Sequence, residues 1–157
     1  MGRLAQTLGV RNSPMSYLSN FEHSFVKNTL ALVDSYEGKF DSTILVNCLL
    51  GLLVVPKESF LDAIPEEPLS GLQKWGINPD SIRSPGRPTK KNPKPETLRG
   101  LVTNLRHAVA HFNIRPIPAT AEVHSFEYTN DTGLQAVISV LEMRVFVRTL
   151  ARHLAVQ

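Results

Sequence analysis

The chain has 157 residues, 42% of them hydrophobic and 20% charged, with a net charge of +3; this fits one domain, residues 1–157, burying its own core, and excludes fibrous and wholly disordered classes. No apolar run reaches the roughly 18 residues of a membrane span, and no secretory apolar core opens the chain. The single cysteine, Cys48, excludes an internal disulfide framework and suits a reducing, cytoplasmic setting.

Residues 1–15 read as a flexible, mildly basic leader. A first helix is expected from Ser19-Asn20-Phe21-Glu22, a Ser-x-x-Glu capping box with Leu18 as its staple. Leu18, Phe21, Phe25, Leu32 and Tyr36 recur at helical spacing and predict its buried face. Glu22, His23, Lys27 and Asn28 fall on the side expected to be solvated, and Gly38 ends the element. A second helix begins at Asp41-Ser42 and runs to Val55, ahead of Pro56. It is apolar nearly all round, as a central bundle helix or a subunit interface requires. Thr43, Asn47 and Gly51 make a narrow polar-to-small stripe along it. Asn47 is expected either to be a buried, hydrogen-bonded structural residue or to line an active-site cleft.

From Pro56 to Pro95 regular structure thins, with short helical turns expected at Lys57–Ala63 and Leu69–Trp75. Residues 78–95 carry five prolines and five basic side chains, Arg83, Arg87, Lys90, Lys91 and Lys94. Proline at that density argues against helix and sheet, so this segment is expected to be an exposed, mobile loop. Its lysines are solubilising groups unless the loop lies beside the helix that follows. In that case Lys90 and Lys91 become candidates for RNA backbone contact, since phosphate neutralisation is cumulative.

That helix is predicted from Glu96 or Thr97 to Phe112, with Leu98, Leu101, Val102, Leu105, Ala108, Val109 and Phe112 as its core stripe. After Asn113 the chain turns through Arg115-Pro116-Ile117-Pro118. His124, Phe126, Tyr128 and then Leu134, Ala136, Ile138, Val140 alternate around Asn130-Asp131-Thr132-Gly133, a β-hairpin signal. The last helix covers Leu141–Leu154. Arg144, Arg148 and Arg152 run along its polar side with few acids nearby in sequence, either as a solvated face or as an RNA contact.

The chemistry concentrates at Arg106, His107 and His111, near the end of the third helix. Histidine exchanges protons near neutrality, and the arginine fork suits phosphate oxygens. Cleavage of an RNA phosphodiester needs both functions. His107 and His111, four apart, also have zinc-binding spacing, but no third ligand is evident. Phosphate-loop, dinucleotide-binding and serine-hydrolase motifs are absent. On an ideal helix, positions five apart diverge by roughly 140° and are about 7.5 Å apart along the axis. Arg106 and His111 therefore converge only if the helix distorts near its end or if two copies of the chain share a site.

Arg106-His107-Ala108-Val109-Ala110-His111 resembles the Arg-x(4-6)-His signature of the HEPN superfamily, including its polar residue after the arginine. Phe112-Asn113-Ile114 is similar to the usual end of that helix, and the order of elements across residues 16–155 resembles small stand-alone HEPN nucleases. The resemblance implies a mainly α, HEPN-like antiparallel bundle; the short β-hairpin before the last helix and the proline-rich basic insert are not part of the minimal bundle, and the implied function does not extend to them. The resemblance also implies a homodimer whose two motifs face each other across a cleft, and a metal-independent endoribonuclease acting through 2′-OH attack, without cofactor. Carried over by position, Arg106 binds and polarises phosphate, His111 transfers a proton, and His107 orients or assists; Asn113 and Asn47 are supporting candidates. Many such proteins are toxins or phage-defence effectors with a cognate antitoxin or inhibitor protein. Others have lost activity and serve as RNA- or nucleotide-binding modules or as partners of a second protein, and that alternative stays open.

Overall fold

The computed structural model describes residues 20–38, 41–54, 58–119 and 122–156. The leader, the Leu18 staple, the Ser19 cap and the Val55-Pro56 helix stop lie outside these residues. Four helices, α1 (Asn20–Ser35), α2 (Asp41–Leu53), α3 (Leu98–Ala110) and α4 (Val140–Ala155), enclose most of the apolar core. α2 packs against α1, α3 and α4, and α1 lies along α4. The fold is mainly helical with one small antiparallel sheet, and no helix among the described residues is long and apolar enough to cross a membrane.

The sheet has strands β1 (Ile82–Pro85), β2 (Ile114–Ile117), β3 (Ser125–Thr129) and β4 (Leu134–Ser139), in the order β1-β4-β3-β2. The β3–β4 hairpin matches the expected alternation: Phe126, Tyr128, Leu134, Ala136 and Ile138 are buried. The two outer strands correct the sequence reading, which left residues 78–95 as a mobile loop and residues 115–118 as a turn. Proline is excluded from central strands because it lacks an N–H, but an edge strand needs only one of its two faces hydrogen-bonded. Pro85 and Pro116 both sit on edges, opposite Leu134 and Phe126, and a register shift between Ile82 and Ser84 further relaxes β1. The rest of the proline-rich segment is also tied down. Thr89 and Asn92 exchange backbone hydrogen bonds, and the buried Asn92 donates Nδ2 to the Gly100 carbonyl at 2.9 Å.

Two helix faces also differ from expectation. On α1, Phe21 is 69% exposed and Leu32 is exposed too, whereas Glu22, at 7%, is buried with Val26, Thr29 and Val33. Both sets have helical spacing and are offset by one residue, about 100° around the axis. The smaller β-branched set is the one that permits close approach to α4. On α2, Thr43 and Asn47 are exposed, so the helix is not enclosed on all sides. Only Gly51 of that stripe is buried, and a Cβ there would lie 2.7 Å from the Phe25 ring. The α3 stripe is buried as predicted, apart from Phe112, and α4 buries Met143, Phe146, Val147, Leu150, Ala151 and Leu154.

α4 starts with a capping box that pattern reading passed over. The Ser139 hydroxyl accepts from Glu142 N, and the Glu142 carboxylate accepts from Ser139 N. The same carboxylate accepts from Asn78 N at 2.9 Å and from the Ser81 hydroxyl at 2.8 Å, joining α4 to the turn before β1. Partial burial pushes this carboxyl up, but the hydrogen bonds from Ser139, Asn78 and Ser81 together hold it below its usual 4.5. A carboxyl depressed by folding stabilises the native state above its unfolded pKa, and that stability is lost as pH falls through the folded value. Glu142→Gln should therefore cost roughly 0.5–1 kcal/mol at pH 7. Thermal melts from pH 7 down to 3 should show the gap from wild type closing below about 4.5; a gap constant with pH would rule out the charge as its source.

Tyr128 is fully buried under α3, and its hydroxyl has no hydrogen-bond partner among the described residues. Burial pushes its phenol well above the usual range. An unsatisfied buried hydroxyl costs more than the apolar edge that replaces it. Tyr128→Phe is expected to raise unfolding free energy by about 1 kcal/mol in urea titrations; a loss of that size would reveal a partner for the hydroxyl.

Candidate active site

α3 is set by Thr97, whose hydroxyl caps it by accepting from Gly100 N, and by a stripe of Leu98, Leu101, Val102, Leu105, Ala108 and Val109 anchored in the core. Its other side begins with Gly100, which is buried under the Lys94–Pro95 backbone. A Cβ at Gly100 would lie 2.0 Å from the Lys94 carbonyl oxygen and 2.6 Å from Pro95 Cα. Glycine is thus what allows the basic segment to close onto the motif helix.

The helix ends at Ala110 in a Schellman motif. Asn113 N donates to the Ala108 carbonyl at 2.7 Å and Phe112 N to the Val109 carbonyl at 3.1 Å, while Phe112 takes the left-handed conformation at φ 54°. This explains why Phe112 leaves the core stripe: the reversal throws its ring outward, to 68% exposure. The reversal falls after His111, whose N–H still donates to the His107 carbonyl at 3.1 Å, so it does not bring His111 round to Arg106. His111 becomes the C-cap, and its ring centroid lies 4.4 Å from that of His107, the planes tilted by 50°.

Arg106 and His107 line a groove of about 1010 Å³. One wall is the basic segment Thr89–Lys94, a second is Leu61, Asp62 and Glu66, and a third is the hairpin turn Asn130–Thr132. Lys90 and Lys91 therefore do lie beside the motif helix, the condition under which phosphate contact becomes credible. At the rim, Glu66 pairs with Lys94 at 2.8 Å and with Arg99 at 3.2 Å. That hydrogen-bonded contact lowers the Glu66 carboxyl pKa and raises that of the Lys94 ammonium. One carboxylate offsets only one of these two charges; among the lining residues Lys90, Lys91, Lys94, Arg99 and Arg106 stand against Asp62, Glu66 and Asp131, so the groove keeps a positive balance. His111 is exposed and is not among the lining residues. Within one chain, then, Arg106 shares the groove with His107, and His107 touches His111.

The remaining candidates fall elsewhere. Asn47 is exposed on α2, so it is not a buried structural residue, and it does not line this groove. Asn113 serves the helix stop through its N–H, and its carbonyl accepts from Thr129 N at 3.1 Å. Arg148 pairs with Asp34 of α1, and Arg152 approaches the same carboxylate at 3.9 Å. The acid that the α4 arginines lacked in sequence is thus supplied across the helix interface. Arg144 borders a separate small pocket with Val33, Tyr36, Ile44 and Leu45.

Sequence reading missed the residues that hold the groove's walls. Asn104, buried on α3 one turn before His107, donates Nδ2 to the Pro85 carbonyl at 2.8 Å and accepts from Asn130 Nδ2 at 3.0 Å. Asn130 Oδ1 in turn accepts from Thr132 N, the Thr132 hydroxyl and Leu134 N. Arg87, counted as a loop cation, instead donates to the Asp131 and Thr132 carbonyls. One signal was present: Gly100, Asn104 and His107 share a helix face that carries no large apolar residue. Asp131 stands 3.8 Å from His107, Oδ1 to Nδ1. Among the described residues no group of three or more His, Cys, Asp or Glu is placed to hold a metal ion.

Residues 15–157 match the family model described as HEPN pEK499 p136. No curated protein and no solved structure matches the chain.

Proposed function

We propose, on the premise that this chain belongs to the HEPN family, that it is a metal-independent endoribonuclease built on a HEPN-type antiparallel helical bundle. Family membership by itself points to a nuclease or nucleotide-related function. The observation that carries the sharper reading is the shared groove, which Arg106 and His107 line together with Lys90 and Lys91. The lysines hold the RNA backbone, and Arg106 holds the scissile phosphate and its developing charge. The 2′-oxygen loses its proton and bonds to phosphorus, the bond from phosphorus to the 5′-oxygen breaks, and the departing oxygen takes up a proton. The histidines carry these protons. The products are a 2′,3′-cyclic phosphate and a 5′-hydroxyl.

His111, at the end of α3, does not line the groove, and the exposed Phe112 follows it in the chain. A second copy of the chain seated on this end would bring both motifs into one cleft, so the working form is a homodimer. The same placement of His111 favours one other reading, a module that binds RNA or nucleotide without cutting it. Incubating the protein with RNA in excess chelator separates the two: cyclic-phosphate ends are the expected result, and retention of intact RNA would favour the silent module. Light scattering should report a dimer at micromolar concentration, and a strict monomer would count against the shared cleft.

A further inference from the structure

The hairpin turn that forms one wall of the groove also brings a carboxylate to the motif. Asp131 Oδ1 lies 3.8 Å from His107 Nδ1, a nitrogen that is shielded from solvent and has no hydrogen-bond partner among the described residues. The backbone of that turn is clamped from two sides, by Arg87 donating to the Asp131 carbonyl at 3.2 Å and by Asn130 anchored on Asn104. The Asp131 carboxylate itself is 79% exposed and makes no other ion pair among the described residues. A shielded ring nitrogen facing an exposed carboxylate on a clamped backbone needs only a side-chain rotation to form the bond. Catalytic hydrogen bonds are commonly long before substrate binds and tighten with it.

We propose that Asp131 is a positioning residue which fixes the tautomer of His107, an inference that rests on the ribonuclease reading above. Accepting a hydrogen bond from Nδ1–H leaves Nε2 of neutral His107 as the bare nitrogen, because the partner of one ring nitrogen decides the state of the other. His107 Nε2 then takes the 2′-OH proton as the 2′-oxygen bonds to phosphorus. His111 in its protonated form gives its proton to the leaving 5′-oxygen. After the cut His107 carries a proton and His111 lacks one, and exchange of protons with water resets both rings. Asp131 stays ionised throughout and takes up no proton.

The test reads the tautomer directly by nitrogen NMR of the histidine rings, with His107 assigned by loss of its signals in His107→Gln. In the wild type the neutral His107 ring should carry its proton on Nδ1. Asp131→Ala should shift the proton towards Nε2, and Asp131→Glu should restore it. An unchanged tautomer across the three proteins overturns the couple, whatever RNA does. On RNA, Asp131→Ala should lower kcat roughly tenfold with KM unchanged; a change confined to KM overturns the positioning role. A wild type that does not cleave RNA overturns the catalytic assignment and the ribonuclease reading together, while the tautomer result still decides the Asp131–His107 couple.

Discussion

Arg106→Ala is expected to lower kcat for RNA cleavage by at least about 100-fold, the scale on which removing a preorganised charge stabiliser acts. Arg106 is half-buried in the groove on the last full turn of α3, so its fork is held by a helix whose opposite face is core. Lysine should not rescue it, since a point charge lacks the paired donors that grip two phosphate oxygens. His111→Ala should cost between about 100-fold and 10,000-fold through loss of proton transfer. Both side chains lie outside the core, so the melting temperatures should stay near wild type. Initial rates on a labelled RNA in chelator, paired with thermal melts, provide the measurement. Cleavage that persists in both variants would sink the site assignment, and a lost rate accompanied by a large fall in melting temperature would point to misfolding instead.

Gly100→Ala should be the most damaging single methyl group in the described chain. The added carbon would sit 2.0 Å from one backbone atom and 2.6 Å from another, and backbone cannot rotate away as a side-chain tip can. The Lys94–Pro95 strap would have to lift. That breaks the Asn92 bond to the Gly100 carbonyl and strains the cap at Thr97, whose N–H and hydroxyl both donate to Lys94. A loss of about 3 kcal/mol in urea unfolding is expected, at the upper end of overpacking costs. Because the strap also carries Lys90 and Lys91, RNA affinity should fall along with stability. Gly71→Ala makes the control: the nearest atom to its added Cβ is a Glu67 carboxylate oxygen at 4.0 Å, and its stability should barely move. A Gly100→Ala loss below about 1 kcal/mol would show that the strap gives way easily.

Much of the helical framework is determined by local pattern. The stripes of α3 and α4 each admit one buried face, and the structure buries Leu98 to Val109 and Met143 to Leu154 accordingly. The β3–β4 hairpin is equally local, since strict alternation flanks a four-residue turn rich in turn formers. The motif itself, Arg106 to His111, is legible because its residue types carry the chemistry and its helix is unmistakable.

Other features depend on partners that a local pattern does not name. α1 offers two overlapping stripes, and only the approach of α4 selects Glu22, Val26, Thr29 and Val33 over the aromatic pair at Phe21 and Phe25. Edge strands β1 and β2 are invisible to a rule that counts prolines, because hydrogen bonding on one side is a property of position in the sheet. Arg148 and Arg152 have few acids near them in sequence, and Asp34, 114 residues from Arg148, meets them only in the fold.

The groove combines both kinds of information. Sequence by itself determined the rigid helix, the arginine and the two histidines, since each follows from residues within a few turns of one another. Tertiary structure decided what lies beside them: Lys90 and Lys91, on the segment whose Lys94–Pro95 backbone closes over Gly100, and Asp131, brought in by the hairpin. Those neighbours come from separate segments, so they appear only once packing has closed the chain around α3.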